Sequence, residues 1–275
     1  MRALCVVLLA WVAWPAMAQE MDHAMHGMAM GPMQGGQAPA DARDGDVSDG
    51  VAPSSMHDMA MMDMDDTAPV GNLLIDRLES FAGQGSHGQS WEADGWYGNA
   101  TDKLGFRSEG ERDGGRPRDG DAELFWRHAI APFWDAQVGA RSDLGDGPSR
   151  HWAAFGVQGL APYWFELEAT GYVGDGGRSA ARLRADYELL FTQRLILQPE
   201  LEVNAYGKAD PRRRLGRGIA RIDAGLRLRY EITRRIAPYV GVAWEHLGGG
   251  TAVMARDDGR RITDRRWVAG VRVWF

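Results

Sequence analysis

From Gly71 to the terminus the chain alternates apolar and polar residues with a period of two, in stretches separated by clusters of Gly, Asp, Pro and Arg. Period two puts successive side chains on opposite faces of an extended strand. The last stretch is the clearest: Trp267, Ala269, Val271, Val273 and Phe275 fall on one face, and Arg266, Val268, Gly270, Arg272 and Trp274 on the other. Along 181–191, Ala181, Leu183, Ala185, Tyr187, Leu189 and Phe191 oppose Arg182, Arg184, Asp186 and Glu188. Along 220–230, Ala220, Ile222, Ala224, Leu226, Leu228 and Tyr230 oppose Arg221, Asp223, Gly225, Arg227 and Arg229. Along 197–206, Leu197, Leu201, Val203 and Ala205 oppose Gln198, Glu200, Glu202, Asn204 and Tyr206. These polar faces carry both signs of charge, which can neutralise one another across an enclosed lumen.

Twelve such segments are predicted, near 72–81, 89–98, 102–110, 121–130, 132–143, 149–159, 162–173, 178–191, 194–207, 217–230, 235–247 and 262–275. The pattern predicts an all-β chain closing into a transmembrane antiparallel barrel of about twelve strands, an even number as single-chain outer-membrane barrels require. The connections alternate between short turns (99–101, 130–131, 160–161, 192–193, 231–234) and longer polar loops (82–88, 111–120, 208–216, 248–261). Short periplasmic turns and long external loops produce that alternation, and they place both chain ends in the periplasm. Aromatic girdles are expected from Trp134, Tyr163, Phe191 and Tyr239 near the short turns, and from Trp152, Trp244 and Trp267 toward the other rim or mid-strand. A soluble β-sandwich would alternate too, but with irregular loop lengths and a Lys, Thr and Ser face. The final strand, ending in Phe275, resembles the signal that bacterial outer-membrane assembly machinery recognises.

The amino-terminal quarter has a different chemistry. Arg2, an apolar run from Ala3 to Trp14 and Ala16-Met17-Ala18 form the three regions of a secretory signal peptide, residues 1–18. Cys5 lies inside it, so the exported chain is expected to have no thiolate ligand. No later apolar run reaches the roughly 18 residues of a membrane-spanning helix. Residues 19–70 carry ten Asp or Glu against Arg43 alone. That acidic stretch argues for a cation-collecting arm and against a nucleic-acid partner.

Ten of the 13 methionines and three of the seven histidines fall between Met21 and Met64. The residues are Met21, His23, Met25, His26, Met28, Met30 and Met33, then Met56, His57, Met59, Met61, Met62 and Met64. Thioether sulfur selects Cu(I), while imidazole suits copper in both oxidation states. The segment is therefore expected to be a disordered periplasmic arm that binds copper, Cu(I) and/or Cu(II), with moderate affinity, since ordering the chain costs about 1–2 kcal/mol per residue. The bland reading is an acidic linker with incidental methionines.

Two weaker sets lie in 71–275. Lumen carboxylates Glu92, Asp94, Glu109, Glu166, Glu168, Glu200 and Glu202 are possible cation contacts; the alternative is a structural ladder with Arg182, Arg184, Arg227 and Arg229 that plugs the barrel. His87, His151, His246 and Met254 fall in or beside the external loops and are expected to converge at the outer mouth if they act together. No nucleophile with an oriented base, phosphate loop or closed zinc spacing is present, so the chain reads as no enzyme; a copper oxidase would need a Cys ligand.

The strings Trp91-Glu-Ala-Asp94-Gly-Trp96-Tyr97-Gly, Lys103-Leu-Gly-Phe-Arg-Ser-Glu109-Gly-Glu111 and Gly159-Leu-Ala-Pro162-Tyr163-Trp164-Phe165 resemble the copper resistance protein B family of outer-membrane proteins. So do Leu195-Ile-Leu-Gln198-Pro199-Glu200, Gly225-Leu-Arg-Leu-Arg229-Tyr-Glu231, Ala237-Pro-Tyr239-Val-Gly241 and Val268-Ala-Gly-Val271-Arg-Val-Trp-Phe275. The resemblance implies copper tolerance, outer-membrane lipid around the barrel and a periplasmic multicopper oxidase as a working partner. It leaves open two functions: sequestering or exporting copper, or anchoring a periplasmic copper store on a plugged, non-conducting barrel.

Overall fold

The computed structural model describes residues 68–84 and 86–275. The Met/His segment, the signal sequence and the boundary between them lie outside the described residues. Thirteen strands run in chain order around one sheet: β1 (Val70–Gly83), β2 (His87–Gly98), β3 (Asp102–Asp113), β4 (Arg116–Ala131), β5 (Trp134–Gly145), β6 (Arg150–Ala161), β7 (Phe165–Gly174), β8 (Arg178–Asp186), β9 (Leu189–Leu190), β10 (Leu195–Tyr206), β11 (Gly218–Tyr230), β12 (Ile236–Leu247) and β13 (Thr263–Trp274). Strands β8 and β9 are two pieces of one stave, so the barrel has twelve. The ring closes where β13 pairs antiparallel with β1, from Leu74 opposite Trp274 to Gly83 opposite Arg266. Phe275 completes the seam: its N–H donates to the Leu73 carbonyl at 2.9 Å. Closure removes the free edges that a sheet in hydrocarbon cannot leave unpaired.

The alternation sorts side chains as it predicts, with an inverted interior. Leu183, Leu201, Leu226, Val240 and Trp267 are exposed on the outside, while Arg182, Arg184, Glu202, Arg227 and Arg266 between them are buried. Among the described residues, 22 buried polar or charged residues outnumber 13 buried hydrophobic ones, so the inside of the ring is an ion-pair lattice and not an apolar core. One hydrophobic cluster, Phe125, Trp152, Ala154 and Tyr172, shares that interior.

Several expectations are corrected. Strand β7 starts at Phe165, because Pro162 opens a 3-10 turn in which Tyr163 and Trp164 hold φ of 69° and 67°. The stave 178–191 breaks at Tyr187 and Glu188, where Tyr187 N–H turns to the carbonyl of Pro199 and its ring stacks on Phe165 at 4.5 Å. The loop 111–120 shrinks to a two-glycine turn: Gly114 and Gly115, with φ of +56° and +82°, let β3 and β4 run on as a hairpin. The loop 248–261 contains a helix, α1 (Gly249–Asp257), which buries Ala252 and Ala255 beside Leu247. Ala220 faces inward and not outward, because the register between β10 and β11 slips between Asn204 and Ala205. Tyr239 and Trp152 are lumen residues, held by hydrogen bonds to Glu79 at 3.0 Å and Asp143 at 2.8 Å. The exposed aromatics near the short turns include Tyr97, Phe133, Tyr163, Trp164, Phe165, Phe191, Tyr230, Trp274 and Phe275.

Candidate functional site: the ion-pair lattice of the lumen

Inward positions on every second residue carry the lattice. On β1 the alternation is broken by a bulge: the pairing steps from Ile75 to Arg77 against β2 and from Ile75 to Leu78 against β13. A bulge turns two consecutive residues to one face. Asp76 and Arg77 both use it, Asp76 pairing with Arg272 at 3.0 Å and Arg77 with Glu92 and with Glu200 at 3.0 Å.

The centre is built on β8. Arg184 donates to Glu92 at 2.5 Å, to Glu109 at 2.7 Å and to Glu202 at 2.7 Å. Arg182, one layer toward the long loops, binds Glu109 at 2.7 Å and Asp121 at 2.8 Å. Arg107 reaches from β3 to Glu168 on β7 at 2.8 Å, and Arg227 from β11 to Glu200 at 2.6 Å and Glu79 at 3.0 Å. Arg266 joins β13 to Glu111 and Glu245 at 2.6 and 2.9 Å. Aromatic faces support the guanidiniums, Tyr172 under Arg141 at 5.0 Å and Phe81 under Arg266 at 4.7 Å. Gly225 leaves the space one such pair needs: a Cβ there would sit 2.6 Å from Arg227 Nη1.

The lattice divides the lumen. A cavity of about 760 Å³ opens at the short-turn end, lined by seven carboxylates and five arginines. Glu166 and Asp186 stand opposite each other there on β7 and β8, and neither has an ion-pair partner among the described residues. In the middle, among Arg182, Arg184 and their carboxylate partners, a cavity of about 180 Å³ remains. Two chambers of about 430 and 520 Å³ follow at the long-loop end.

Of the sequence-predicted lumen residues, Glu92, Asp94, Glu109, Glu168, Glu200 and Glu202 lie in this lattice, each already engaged by an arginine. The structure does not bring the other set together. His87, His151 and His246 are exposed on the outward faces of β2, β6 and β12, staves that are not neighbours, and His246 bonds Thr263 at 2.8 Å. Met254 is half-buried on α1. Among the described residues no group of three or more His, Cys, Asp or Glu has the arrangement to hold a metal ion. Sequence reasoning missed Glu79, Arg77, Arg107, Asp121, Glu123, Arg141 and Arg266. Asp121 and Glu123 stand two apart before Phe125 and were visible in the alternation; Arg77 was hidden by the bulge.

An apolar outside, a charged inside and a closed ring of twelve antiparallel staves define an outer-membrane β-barrel protein. The fold is similar to that of NanC porin, with a TM-score of 0.51 at 12% identity over 73% of this chain and 98% of that one. Residues 70–275 match the family described as Copper resistance protein B precursor (CopB). A Copper resistance protein B homolog of Pseudomonas syringae pv. tomato is 42% identical over 97% of this chain and 92% of its own length. Copper resistance protein B of Escherichia coli is 45% identical over 74% of this chain and 69% of its own. The chain belongs to the copper resistance protein B family.

Proposed function

We propose that the chain confers copper resistance by capturing copper ions on the Met/His segment between Met21 and Met64 and holding them at the periplasmic face of a barrel that is closed at rest. The capture half rests on ligand chemistry: thirteen thioether and imidazole groups in 44 residues offer any copper ion several soft ligand sets. The location half rests on Val70, which begins β1 opposite Gly98 at the short-turn rim, the periplasmic side in barrels of this kind. The observation that carries the closed state is Arg184, which crosses the middle of the lumen and is tied to three carboxylates on two sides of it.

A second reading, passage outward through the lumen, is favoured by the surplus of two carboxylates in the inner cavity, which attracts cations to that end. Copper titration of the full-length chain in detergent against a chain lacking residues 20–66 tests the capture half, with Cu(I) under reducing conditions and Cu(II) under oxidising ones. Capture predicts that binding is lost with the segment while the barrel still migrates as a folded band on unboiled gels. Undiminished binding by the shortened chain would contradict it.

A further inference from the structure

The long-loop end of the lumen has the opposite charge balance from the short-turn end: its two chambers are lined by ten arginines against seven carboxylates. Three arginines border both chambers, Arg118 on β4, Arg214 after the turn at 211–213 and Arg260 after α1. Two carboxylates, Asp146 and Glu245, border both chambers as well, and the ion-pair partners of the three arginines are shared. Asp258 serves both Arg214 at 3.2 Å and Arg260 at 3.9 Å. Arg118 lies 3.4 and 3.7 Å from Glu111 and Glu245, carboxylates that Arg266 already holds at 2.6 and 2.9 Å. Arg260 Nε is buried with no hydrogen-bond partner. Burial and the facing charges of Arg118 and Arg214, against Asp258 and Glu245, hold the Arg260 guanidinium below its ordinary proton affinity.

Arg214 is also held with φ of 57°, a left-handed conformation that is strained in a non-glycine residue. Arg213 beside it is fixed by donating to the carbonyls of Pro148 at 3.0 Å and Leu144 at 3.2 Å, which anchors the turn over the chamber. A strained backbone and mutually repelling guanidiniums around an open cavity describe an anion site whose counter-charge is completed from outside the chain. We propose that the outer vestibule binds a phosphate-bearing anion between Arg118, Arg214 and Arg260. The planar guanidinium fork matches phosphate oxygens two at a time, and a chamber of about 430 Å³ admits a group of that size. The phosphate comes either from solution or from a lipopolysaccharide headgroup at the mouth.

Inorganic pyrophosphate titrated into the purified full-length chain in detergent, followed by isothermal calorimetry, gives saturable binding that weakens with salt. The double variant Arg214→Gln/Arg260→Gln weakens it at least tenfold. Arg194→Gln/Arg235→Gln, which removes the same charge from exposed positions at the short-turn rim, leaves it within twofold. Both variants keep the heat-dependent gel shift of a folded barrel; if the first loses it, Arg118→Gln alone is titrated and expected to weaken binding severalfold. Competition by lipopolysaccharide assigns the phosphate to lipid, and its absence assigns it to solution. No saturation by the wild-type chain, or equal loss in the two double variants, overturns the proposal.

Discussion

Arg184 on the eighth stave donates to Glu92 on the second, the stave directly across a ring of twelve, at 2.5 Å. One side chain thus ties opposite walls of the barrel together, and with Glu109 and Glu202 it makes a four-residue knot in the middle of the lumen. Removing one member of a buried set leaves charges uncompensated, which costs about 3–5 kcal/mol. Arg184→Leu should lose about that much in urea unfolding from lipid vesicles, and adding Glu92→Gln should restore part of it. A loss below about 1 kcal/mol would mean that water in the lumen already screens the knot.

Leu183 is the neighbour of both lattice arginines and faces the other way. Placed near the middle of the hydrocarbon, Leu183→Arg should cost about 2–4 kcal/mol in the same unfolding assay. Adding an arginine costs nearly as much outside as deleting one costs inside. A neutral outcome would contradict the assignment of that face to lipid.

Gly225 should tolerate Leu poorly for a reason that lies in the lumen. Its new side chain would occupy the place of Arg227 Nη1 and separate Arg227 from Glu200. Overpacking of this kind costs about 1–3 kcal/mol. Gly225→Leu combined with Arg227→Leu should then cost clearly less than the sum of the two changes, which a double-mutant cycle measures.

Asp210, in the loop between β10 and β11, accepts from Arg150 at 2.8 Å, and that hydrogen bond holds its carboxyl below the usual range. A lowered folded-state value means the contribution is complete above the unfolded carboxylate range near pH 4 and is lost as pH falls through the folded value. Proteolytic resistance of the loop 207–217 should be flat from pH 8 to pH 5 and fall below about pH 4. In Asp210→Asn it should be lower throughout and flat across that window. A wild-type loss centred near pH 6 would point to another group.

Much of the barrel was legible in the sequence because a membrane cylinder is an alternation of period two, and each of the twelve expected segments holds a stave. The misses are local departures from that period. The bulge at Asp76 and Arg77, the register slip at Ala220 and the break at Tyr187 each shift or interrupt a face, and a linear pattern cannot show which residue is the extra one. Trp152 and Tyr239 went astray because an aromatic with a polar handle fits a girdle and a wet lumen equally well. The lattice partners are non-local, up to six staves apart, and no spacing rule reaches that far.

Copper flux through the resting barrel tests the account most directly. Full-length chain is reconstituted into liposomes loaded with copper and an interior-quenched indicator, and release is followed over minutes. A lumen closed by Arg184 predicts release no faster than from protein-free liposomes, with a clear increase in Arg184→Ala. Rapid release by the wild-type chain would show that the lattice conducts, and the holding function proposed for the barrel would give way to export.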